Sequence, residues 1–460
     1  MKLVYGIKDK PKFPQLIVFA IQQLLAIMAA TIAVPTIINN NIEGCDMSLA
    51  AALFGAGVGT LVYQLFTKFK SPVFLGSSFA FIGSMLAAFG GGIAMSVGYV
   101  GLILGAAFAG LVYVVLAIVV KIAGVNWINK LMPPVVIGST VALIGLSLSG
   151  AAIKDVFSYG PQDTDGNFIM SGSLWASLAC ALVTLFVVVL VSTYGKGMPK
   201  LIPFIIGILS GYAVAGIFTI IGYKTGNDAL KVIDISVFTK LVEGGVSYKT
   251  FVSVPEFTFF TAAKGVKGFP VERIATIAVA YVPVAFVVFA EHIADHKNLS
   301  FIIEKDLLED PGLPRTLLGD GIGSMVGAFF GGCPNTTYGE SVGCVAITRN
   351  ASIVTITAAA ILSVLVSFIS PFVAFLDSIP GCVMGGVCVT LYGFIAVSGL
   401  KMIQKVDFED NKNLFTAAAI LIPGVGGMAM NIGGIVITKI ACALILGIIV
   451  NVVLSKGKKD

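Results

Sequence analysis

Residues 331–340 read GGCPNTTYGE, and they interrupt a stretch that is otherwise apolar enough to lie inside a membrane. Proline and three glycines do not favour a continuous helix through such a stretch. Because an unsatisfied backbone amide is costly in hydrocarbon, unwound backbone at this depth must line a cavity or be buried in protein. The segment therefore predicts a binding site within a membrane protein.

A second interruption lies at residues 74–81, which read FLGSSFAF. One glycine, two serines and alternating aromatic residues favour a short extended stretch over a helix. Each interruption frees backbone N–H and C=O groups, and the half-helix that follows presents its positive dipole end there. Such groups suit a planar ligand that carries amide edges.

The composition of the whole chain is that of an integral membrane protein. Its 460 residues are 57% hydrophobic and 12% charged, whereas a soluble domain carries about 25% charged residues. The 53 glycines have no period of three, which excludes a collagen, and the high hydrophobicity excludes a disordered chain. The net charge of +5 is spread over short loops, so it does not predict nucleic-acid binding.

The uncharged runs predict an all-α polytopic fold with about fourteen membrane segments, since a spanning helix needs about 20 mostly apolar residues. The run 71–120 is long enough to cross twice, with a turn at 90–92. Lysines precede the first segment, follow segments two, four and six, and end the chain: Lys2, Lys8, Lys10, Lys12, Lys68, Lys70, Lys121, Lys130, Lys196, Lys200, Lys456, Lys458 and Lys459. Positive loops are usually cytoplasmic, so we expect both termini on the cytoplasmic side of the cytoplasmic membrane.

The sequence also contains an internal similarity. Residues 132–150 resemble residues 379–399, and Pro133 and Gly138 match Pro380 and Gly385. Seven segments precede residue 224 and seven follow residue 273, which predicts a 7+7 inverted repeat of the kind found in secondary transporters. The repeats would be 1–223 and 274–460, joined by an extracytoplasmic loop at 224–273. Chance similarity is the alternative, because proline and glycine are common in membrane helices.

Two acidic residues lie within or beside apolar segments. Glu291 follows the apolar run 274–290, and Glu340 ends the interruption at 331–340. A charge at the bilayer centre costs at least ~2.5 kcal/mol, so we expect both carboxyl groups to face an internal cavity. A carboxyl group that binds both a ligand N–H and a proton would couple the two events. Asp295, on the same helical face as Glu291, and Asp320 are further candidates for proton coupling, or else residues at the cytoplasmic edge.

The histidines and cysteines do not indicate a metal or cofactor site. His292 faces about 100° away from Glu291, which favours a packing role, and His296 begins the polar run HKNLS, which favours a surface position. The seven cysteines lack CxxC or Cys/His ligand spacing. We therefore predict no metal and no cofactor.

Several motifs resemble the nucleobase–ascorbate transporter (nucleobase:cation symporter 2) family and, within it, the bacterial uracil permeases. The resemblance covers nearly the whole chain. It rests on Gln22-Gln23 followed by AATIAVP, and on LGSSFAF at 75–81, AEHIADH at 290–296, KDLLEDPGL at 305–313, NTTYGESVGCVAITR at 335–349 and PGCVMGGVCVTLYG at 380–393. It implies a fourteen-segment inverted repeat, with a core domain from segments 1–4 and 8–11 and a gate domain from segments 5–7 and 12–14. Short antiparallel strands in segments three and ten would meet at the substrate.

The resemblance also implies a substrate site made of Phe79, Glu291, Gly339, Glu340, Ser78, Tyr338 and Tyr392. In such a site, Phe79 would bind the base through its backbone N–H, and Glu291 would accept hydrogen bonds from ring N–H groups. Gly339 and Glu340 would bind the opposite edge, and Glu340 would also carry the coupling proton.

The chain departs from the family pattern at three positions. Gln22-Gln23 stands where many members have Gln-His, and Ser341 stands where the signature usually has Asn. Asp295 stands where the best-known uracil permease pattern has His and purine transporters often have Asp. These departures leave the nucleobase class unchanged but keep xanthine open beside uracil, while the TYGE run and Tyr392 favour uracil.

The sequence therefore predicts a proton-coupled importer of uracil, with a xanthine or other nucleobase symporter as the alternative. A channel would need a continuous polar lining or rings of charge, whereas the chain has isolated acids. No HExxH or GxSxG motif indicates an enzyme. The expected partners are a nucleobase, a proton and membrane lipid, and the glycine-rich helix faces would permit a homodimer.

Overall fold

The computed structural model describes residues 3–124, 132–158, 160–243, 245–404, 406–432 and 435–456. Four of the lysines used to predict the orientation lie outside these ranges: Lys2, Lys130, Lys458 and Lys459. Within the ranges the chain is mostly helical. The longer helices are α1 (Phe13–Asn41), α2 (Leu49–Phe66), α3 (Ile82–Phe89), α4 (Met95–Ala123), α5 (Pro134–Ser147), α6 (Ser149–Val156), α7 (Gly172–Tyr194), α8 (Pro203–Thr225), α9 (Thr258–Gly265), α10 (Arg273–Ile303), α11 (Leu313–Gly331), α12 (Gly339–Thr348), α13 (Ile353–Val366), α14 (Ser370–Asp377), α15 (Gly381–Ile403), α16 (Asn411–Val425) and α17 (Lys439–Lys456).

Eight helical spans in the described part of the chain are long and apolar enough to cross a membrane: α1, α2, α4, α5 with α6, α7, α8, α10 and α15. Their length follows from uninterrupted apolar sequence of about 20 residues, which suffices to cross the hydrocarbon core. The chain is therefore a multi-pass helical membrane protein.

Both segments with predicted interruptions contain extended backbone. Strand β1 (Leu75–Ser77) leads through a 3₁₀ turn into α3, and strand β2 (Asn335–Thr337) leads into α12. The strands pair antiparallel, with Leu75 opposite Thr337 and Ser77 opposite Asn335. Two unwound segments that are far apart in sequence thus meet in the interior, where each satisfies backbone groups of the other.

Side chains satisfy further backbone groups of this strand pair. The N–H of Leu75 donates to the hydroxyl of Thr60 at 2.9 Å, and the side-chain amide of Asn335 donates to the carbonyl of Gly55 at 3.0 Å. The hydroxyl of Tyr338 donates to the carbonyl of Ser77 at 2.6 Å. Helix α2 and the chain just after β2 therefore hold the extended segments in place.

The helices form two packed groups. In the first group, α2 packs against α11 and α13, α4 packs against α10 and α11, and α1 packs against α13. In the second group, α15 packs against α5 and α7, α7 against α8, and α16 against α5 and α17. The strand pair belongs to the first group, because β1 contacts α2 and β2 contacts α11.

Glycines allow close helix contacts in both groups. A Cβ atom at Gly55 of α2 would lie 2.5 Å from the carbonyl oxygen of Gly327 in α11, and one at Gly145 of α5 would lie 2.5 Å from the carbonyl oxygen of Tyr392 in α15. Helices α5 and α15 carry the two similar sequences. Pro133 and Pro380 each immediately precede the first residue of their helix.

Two segments differ from the uncharged runs in the sequence. Helix α10 continues to Ile303, so Glu291 lies near its middle, because polar residues after Ala290 are buried in the first group. The run 413–438 is not one helix, since α16 ends at Val425 and a hairpin of β3 (Met430–Ile432) and β4 (Ile435–Ile437) follows. Gly427, at a φ of +78°, is the second residue after the helix end, where glycine has little steric cost.

The segment between α8 and α10 folds back onto the first group. Helix α9 packs against α4, and the N–H of Ser253 donates to the carbonyl of Phe368 at 3.0 Å. The ring of Phe257 lies 4.8 Å from that of Phe54 and 5.3 Å from that of Phe330, measured between centroids. Aromatic contacts thus fasten this connecting segment to α2 and α11.

Candidate functional site

A cavity of about 80 Å³ lies where the strand pair faces the second helix group. It is much smaller than the roughly 300–1,000 Å³ of pockets for drug-sized ligands, so it suits a small molecule. The first group supplies Ser78, Phe79, Ala80, Glu291, Thr336, Thr337, Tyr338, Gly339 and Glu340 to its wall, and the second group supplies Val141, Ile144 and Ile395. The cavity is therefore polar on one side and apolar on the other.

The two glutamates line this same cavity from different helices. Glu291 projects from the middle of α10, and Glu340 lies in the first turn of α12, which begins at Gly339. Two ionised carboxylates in one buried cavity repel each other, so binding one proton there lowers the electrostatic energy. The positive dipole end of α12 favours the electron-rich edge of a ligand at the same place.

Asp295 and Asp320 occupy different positions relative to the cavity. Asp295 lies one turn beyond Glu291, and its carboxyl group accepts a hydrogen bond from the hydroxyl of Thr337 at 2.8 Å. Because Thr337 is a wall residue, Asp295 lies directly behind the wall. Asp320 is 1% exposed and lies 2.6 Å from Nδ1 of His292, on another side of α10.

The aromatic residues border the cavity in different ways. Phe79 lines it, and the ring of Tyr392 packs edge-to-face on Phe79 with 6.1 Å between centroids. Tyr392 itself is not among the wall residues. The hydroxyl of Tyr338 already donates to Ser77, so this side chain fixes the strand ends as well as lining the cavity.

The surface position predicted for His296 is wrong. Both histidines are fully buried, and Nε2 of His296 lies 2.7 Å from the hydroxyl of Tyr63 on α2. The reason is that α10 extends beyond Glu291, which turns part of the polar run HKNLS towards α2. His292 is buried, as its packing role implied, but it also makes the contact with Asp320 described above.

Two of the departures from the family pattern contact each other. The side-chain amide of Gln23 donates to the hydroxyl of Ser341 at 2.6 Å, and the N–H of Phe74 donates to the same hydroxyl at 3.1 Å. Ser341 directly follows Glu340, so this contact ties α1 and the start of the β1 segment to α12 beside the cavity. The sequence showed both departures but not that they form a pair.

The apolar wall residues Val141, Ile144 and Ile395 were not predicted. An apolar residue in a membrane helix looks the same in the sequence whether it faces lipid, another helix or a ligand. A weak signal existed, since Val141 and Ile144 lie in the repeat sequence 132–150 and Ile395 lies in its counterpart. Within the part of the chain that the structure describes, no cluster of three or more His, Cys, Asp or Glu side chains could hold a metal ion.

Comparison with known proteins gives a family match over most of the chain. The model of a xanthine/uracil-type permease family, described as "Permease family", matches residues 14–433. The uracil permease of Bacillus caldolyticus is 37% identical over 459 residues, covering 98% of this chain and 95% of the relative. The uracil permease of Bacillus subtilis (strain 168) is 35% identical over 466 residues (100% and 97%), and that of Escherichia coli (strain K12) is 34% identical over 447 residues (96% and 92%).

Solved structures of transporters share the fold. The transmembrane domain of the cyanobacterial bicarbonate transporter BicA matches with a TM-score of 0.59 at 13% identity, covering 97% of this chain and 99% of that one. Murine Slc26a9, an anion transporter in the inward-facing state, matches with a TM-score of 0.64 at 11% identity, covering 98% and 70%. At these identities the likeness concerns the fold alone. The family match and the full-length relatives together show that the chain belongs to the permease family that includes the bacterial uracil permeases, as its motifs predicted.

Proposed function

We propose that this protein imports uracil across the cytoplasmic membrane by proton symport. The observation that carries the proposal is that Glu291, Glu340 and the backbone of the β1–β2 region line one small cavity. Carboxyl groups and the backbone groups of this wall match the alternating N–H and C=O edges of a nucleobase. The full-length relatives named uracil permease support uracil as the base.

In this proposal the polar wall binds the edges of the base. The backbone N–H of Phe79 donates to a ring carbonyl, and the carboxyl group of Glu291 accepts hydrogen bonds from ring N–H groups. Gly339 and Glu340 bind the opposite edge. The other members of the proposed site, Ser78, Tyr338 and Tyr392, border these contacts.

Proton coupling is assigned to Glu340, with Glu291 as its partner in the same cavity and Asp295 as a third acid behind the wall. Protonated Glu340 binds the base, so proton and base occupy the site together and leave together. One proton that moves inward down ~100 mV gains about 2.3 kcal/mol, which corresponds to roughly fiftyfold accumulation of the base. Asp320, the remaining candidate for proton coupling, lies apart from the cavity against His292.

The proposed architecture is a fourteen-segment, 7+7 inverted repeat with its termini in the cytoplasm. Segments seven places apart pack on each other: α2 on α11, β1 on β2, and α5 on α15. Such contacts are expected across the pseudo-two-fold axis of an inverted repeat. The first helix group would be the core domain and the second the gate, so a shift between them would open the cavity to either side. A homodimer through glycine-rich faces is part of the same proposal.

A purine such as xanthine is the second candidate substrate, because Asp295 is typical of purine-transporting members of the family. Competition separates the two. Purified protein in proteoliposomes should take up labelled uracil, and excess unlabelled uracil should block this uptake while excess xanthine should not. Blocking by xanthine at a similar concentration would favour the purine.

The same vesicles test the transport class. Saturable counterflow of unchanged uracil is expected of a carrier, whereas a channel would show no counterflow and an enzyme would return altered substrate. Accumulation that a protonophore does not reduce would contradict proton coupling.

A further inference from the structure

A further buried acid, Asp320, lies apart from the cavity and has a different partner. Oδ2 of Asp320 in α11 lies 2.6 Å from Nδ1 of His292 in α10, and both side chains are buried to at least 99%. Nε2 of His292 lies 3.0 Å from the hydroxyl oxygen of Thr316. These three side chains form a chain of hydrogen bonds, and the direction of each bond decides where the protons are.

A backbone carbonyl fixes the direction of the hydrogen bonds at the Thr316 end. The hydroxyl of Thr316 donates its only hydrogen to the carbonyl of Leu313 at 3.0 Å. Its oxygen must therefore accept a hydrogen bond from Nε2 of His292. A neutral imidazole carries one N–H and one acceptor nitrogen, so Nδ1 of His292 accepts, and Asp320 must donate to it as a carboxylic acid.

The other oxygen of Asp320 supports the same assignment. Oδ1 is buried and has no hydrogen-bond donor among the described residues. If Asp320 were a carboxylate and His292 an imidazolium, Oδ1 would be a buried, negatively charged oxygen without a hydrogen-bond donor. Such an arrangement is strongly unfavourable. In a neutral carboxyl group, the same unpaired oxygen costs much less free energy. The space beside Asp320 and Tyr113 has no volume for a water molecule that could supply a donor.

The groups that face the pair do not offer a route for exchange of this proton. Tyr113 of α4 packs its ring edge-to-face on His292, with 6.2 Å between centroids. The ring of His296 stacks on His292 at 4.1 Å, but its Nδ1 donates to the backbone carbonyl of His292. Glu291 and Asp295 lie towards the cavity on the same helix.

We infer that Asp320 holds a resident proton and donates a permanent hydrogen bond to a neutral His292. This proton is distinct from the one that is transported. The hydrogen-bond chain from Asp320 through His292 and Thr316 to the carbonyl of Leu313 ties α10 to α11. It therefore fixes the rotation of α10, whose neighbouring face carries Glu291 and Asp295 towards the cavity. The protonation of Asp320 does not depend on which base or ion the protein transports, whereas the distinction from a transported proton rests on the proposed symport.

The chain offers a direct test, because it contains only two histidines. Nitrogen-15 NMR of histidine-labelled wild-type protein in lipid should show a neutral His292 ring between about pH 5 and 8. His292 should carry its hydrogen on Nε2, and His296 on Nδ1, since Nδ1 of His296 donates to a carbonyl. A His296→Gln variant assigns the His292 signal, and addition of uracil should leave that signal unchanged.

Two outcomes would overturn the inference: an imidazolium at His292, or a His292 hydrogen on Nδ1, since either would make Asp320 a carboxylate. Infrared spectroscopy of wild type and Asp320→Asn checks the acid itself. The difference spectrum should contain the carbonyl stretch of a protonated carboxyl group, with the same intensity with and without uracil. Loss of this band on uracil binding would instead make the proton a transported one. Neither readout uses transport activity, so a failure of uracil symport would be seen separately in the vesicle experiments.

Discussion

Ser341 shows how one hydroxyl group supports the site at the scale of single residues. It accepts hydrogen bonds from Gln23 and from the N–H of Phe74, and it directly follows Glu340. The position of the acid in α12 therefore depends on contacts with two other segments. A buried donor left without an acceptor costs about 1–3 kcal/mol, so loss of this contact should measurably lower the free energy of unfolding.

Replacing Ser341 by alanine should leave both donors unsatisfied. We expect Ser341→Ala to lower the free energy of unfolding by about 1–3 kcal/mol, whereas Ser341→Thr, which keeps the hydroxyl, should stay close to wild type. Thermal unfolding of the purified variants measures the difference. Equal stability of Ser341→Ala and wild type would mean that this contact does not hold α12.

The acids of the site could be predicted from sequence because a charge in an apolar segment is costly and so must have a polar environment. The apolar wall of the cavity could not be predicted, since Val141, Ile144 and Ile395 are apolar residues in apolar helices. The surface position predicted for His296 was wrong because the polar run after Glu291 resembles a surface loop in the sequence. The structure instead buries His296, with Nε2 2.7 Å from the hydroxyl of Tyr63 on α2.

At the scale of elements, α2 and α11 approach each other backbone to backbone. A Cβ at Gly55 would lie 2.5 Å from the carbonyl oxygen of Gly327, and the carbonyl of Gly55 also accepts the hydrogen bond from Asn335. Moving α2 away from α11 would therefore also disturb β2. The strand pair depends on this helix contact.

Gly55→Ala should destabilise the protein by about 1–3 kcal/mol, as overpacking usually does, and should reduce uptake because β2 shifts. Gly150→Ala is the matched control, since a Cβ there meets nothing within 4 Å. Thermal unfolding and initial uptake rates check both variants. A Gly55→Ala protein that behaves like Gly150→Ala would contradict the proposed role of this contact.

A second element contact joins two loops at one end of the helices. Lys305 and Lys70 lie 2.9 and 2.6 Å from the carboxyl oxygens of Asp310, and they lower its pKa from 3.8 to about 2. Because the folded pKa lies below the unfolded one, the stabilisation is present above about pH 4 and is lost as the pH falls towards about 2. The groups are partly exposed, so the contribution is small.

Asp310 therefore stays ionised over the range in which uptake is measured. We expect Asp310→Asn to leave the shape of the pH profile of uptake between about pH 5 and 8 unchanged, with Glu309→Gln in the same loop as a control. A shifted profile in Asp310→Asn alone would assign part of the pH dependence to this loop contact.

The sequence predicts the types of the elements better than their boundaries. The strands lie inside the two predicted interruptions, since glycine, proline and serine mark unwound backbone directly. The hairpin at 430–437 was missed because its residues are as apolar as a spanning helix. The length of α10 was also missed, because buried polar residues do not look like helix core in a sequence.

At the scale of the whole molecule, the proposed orientation places the connecting segment between α8 and α10 outside the cell and the N-terminus inside. The chain is well suited to labelling, because all seven native cysteines are buried. Lys267 and Lys10 are both exposed, so cysteines introduced there report on opposite sides.

A membrane-impermeant thiol reagent should label Lys267→Cys in intact cells, and should label Lys10→Cys only after permeabilisation. The wild-type chain, whose thiols are buried, gives the background. Labelling of both variants from the same side would contradict the proposed topology, in which seven segments separate the two positions.

In the proposed function, one small cavity binds a nucleobase and a proton together, with Glu340 as the proton carrier. Calorimetric titration of the purified protein with uracil, in buffers of different ionisation enthalpy at neutral pH, counts the protons taken up for each base bound. We predict uptake of protons in wild type and none in Glu340→Gln. Uracil binding without proton uptake in wild type, or the same uptake in Glu340→Gln, would contradict the account.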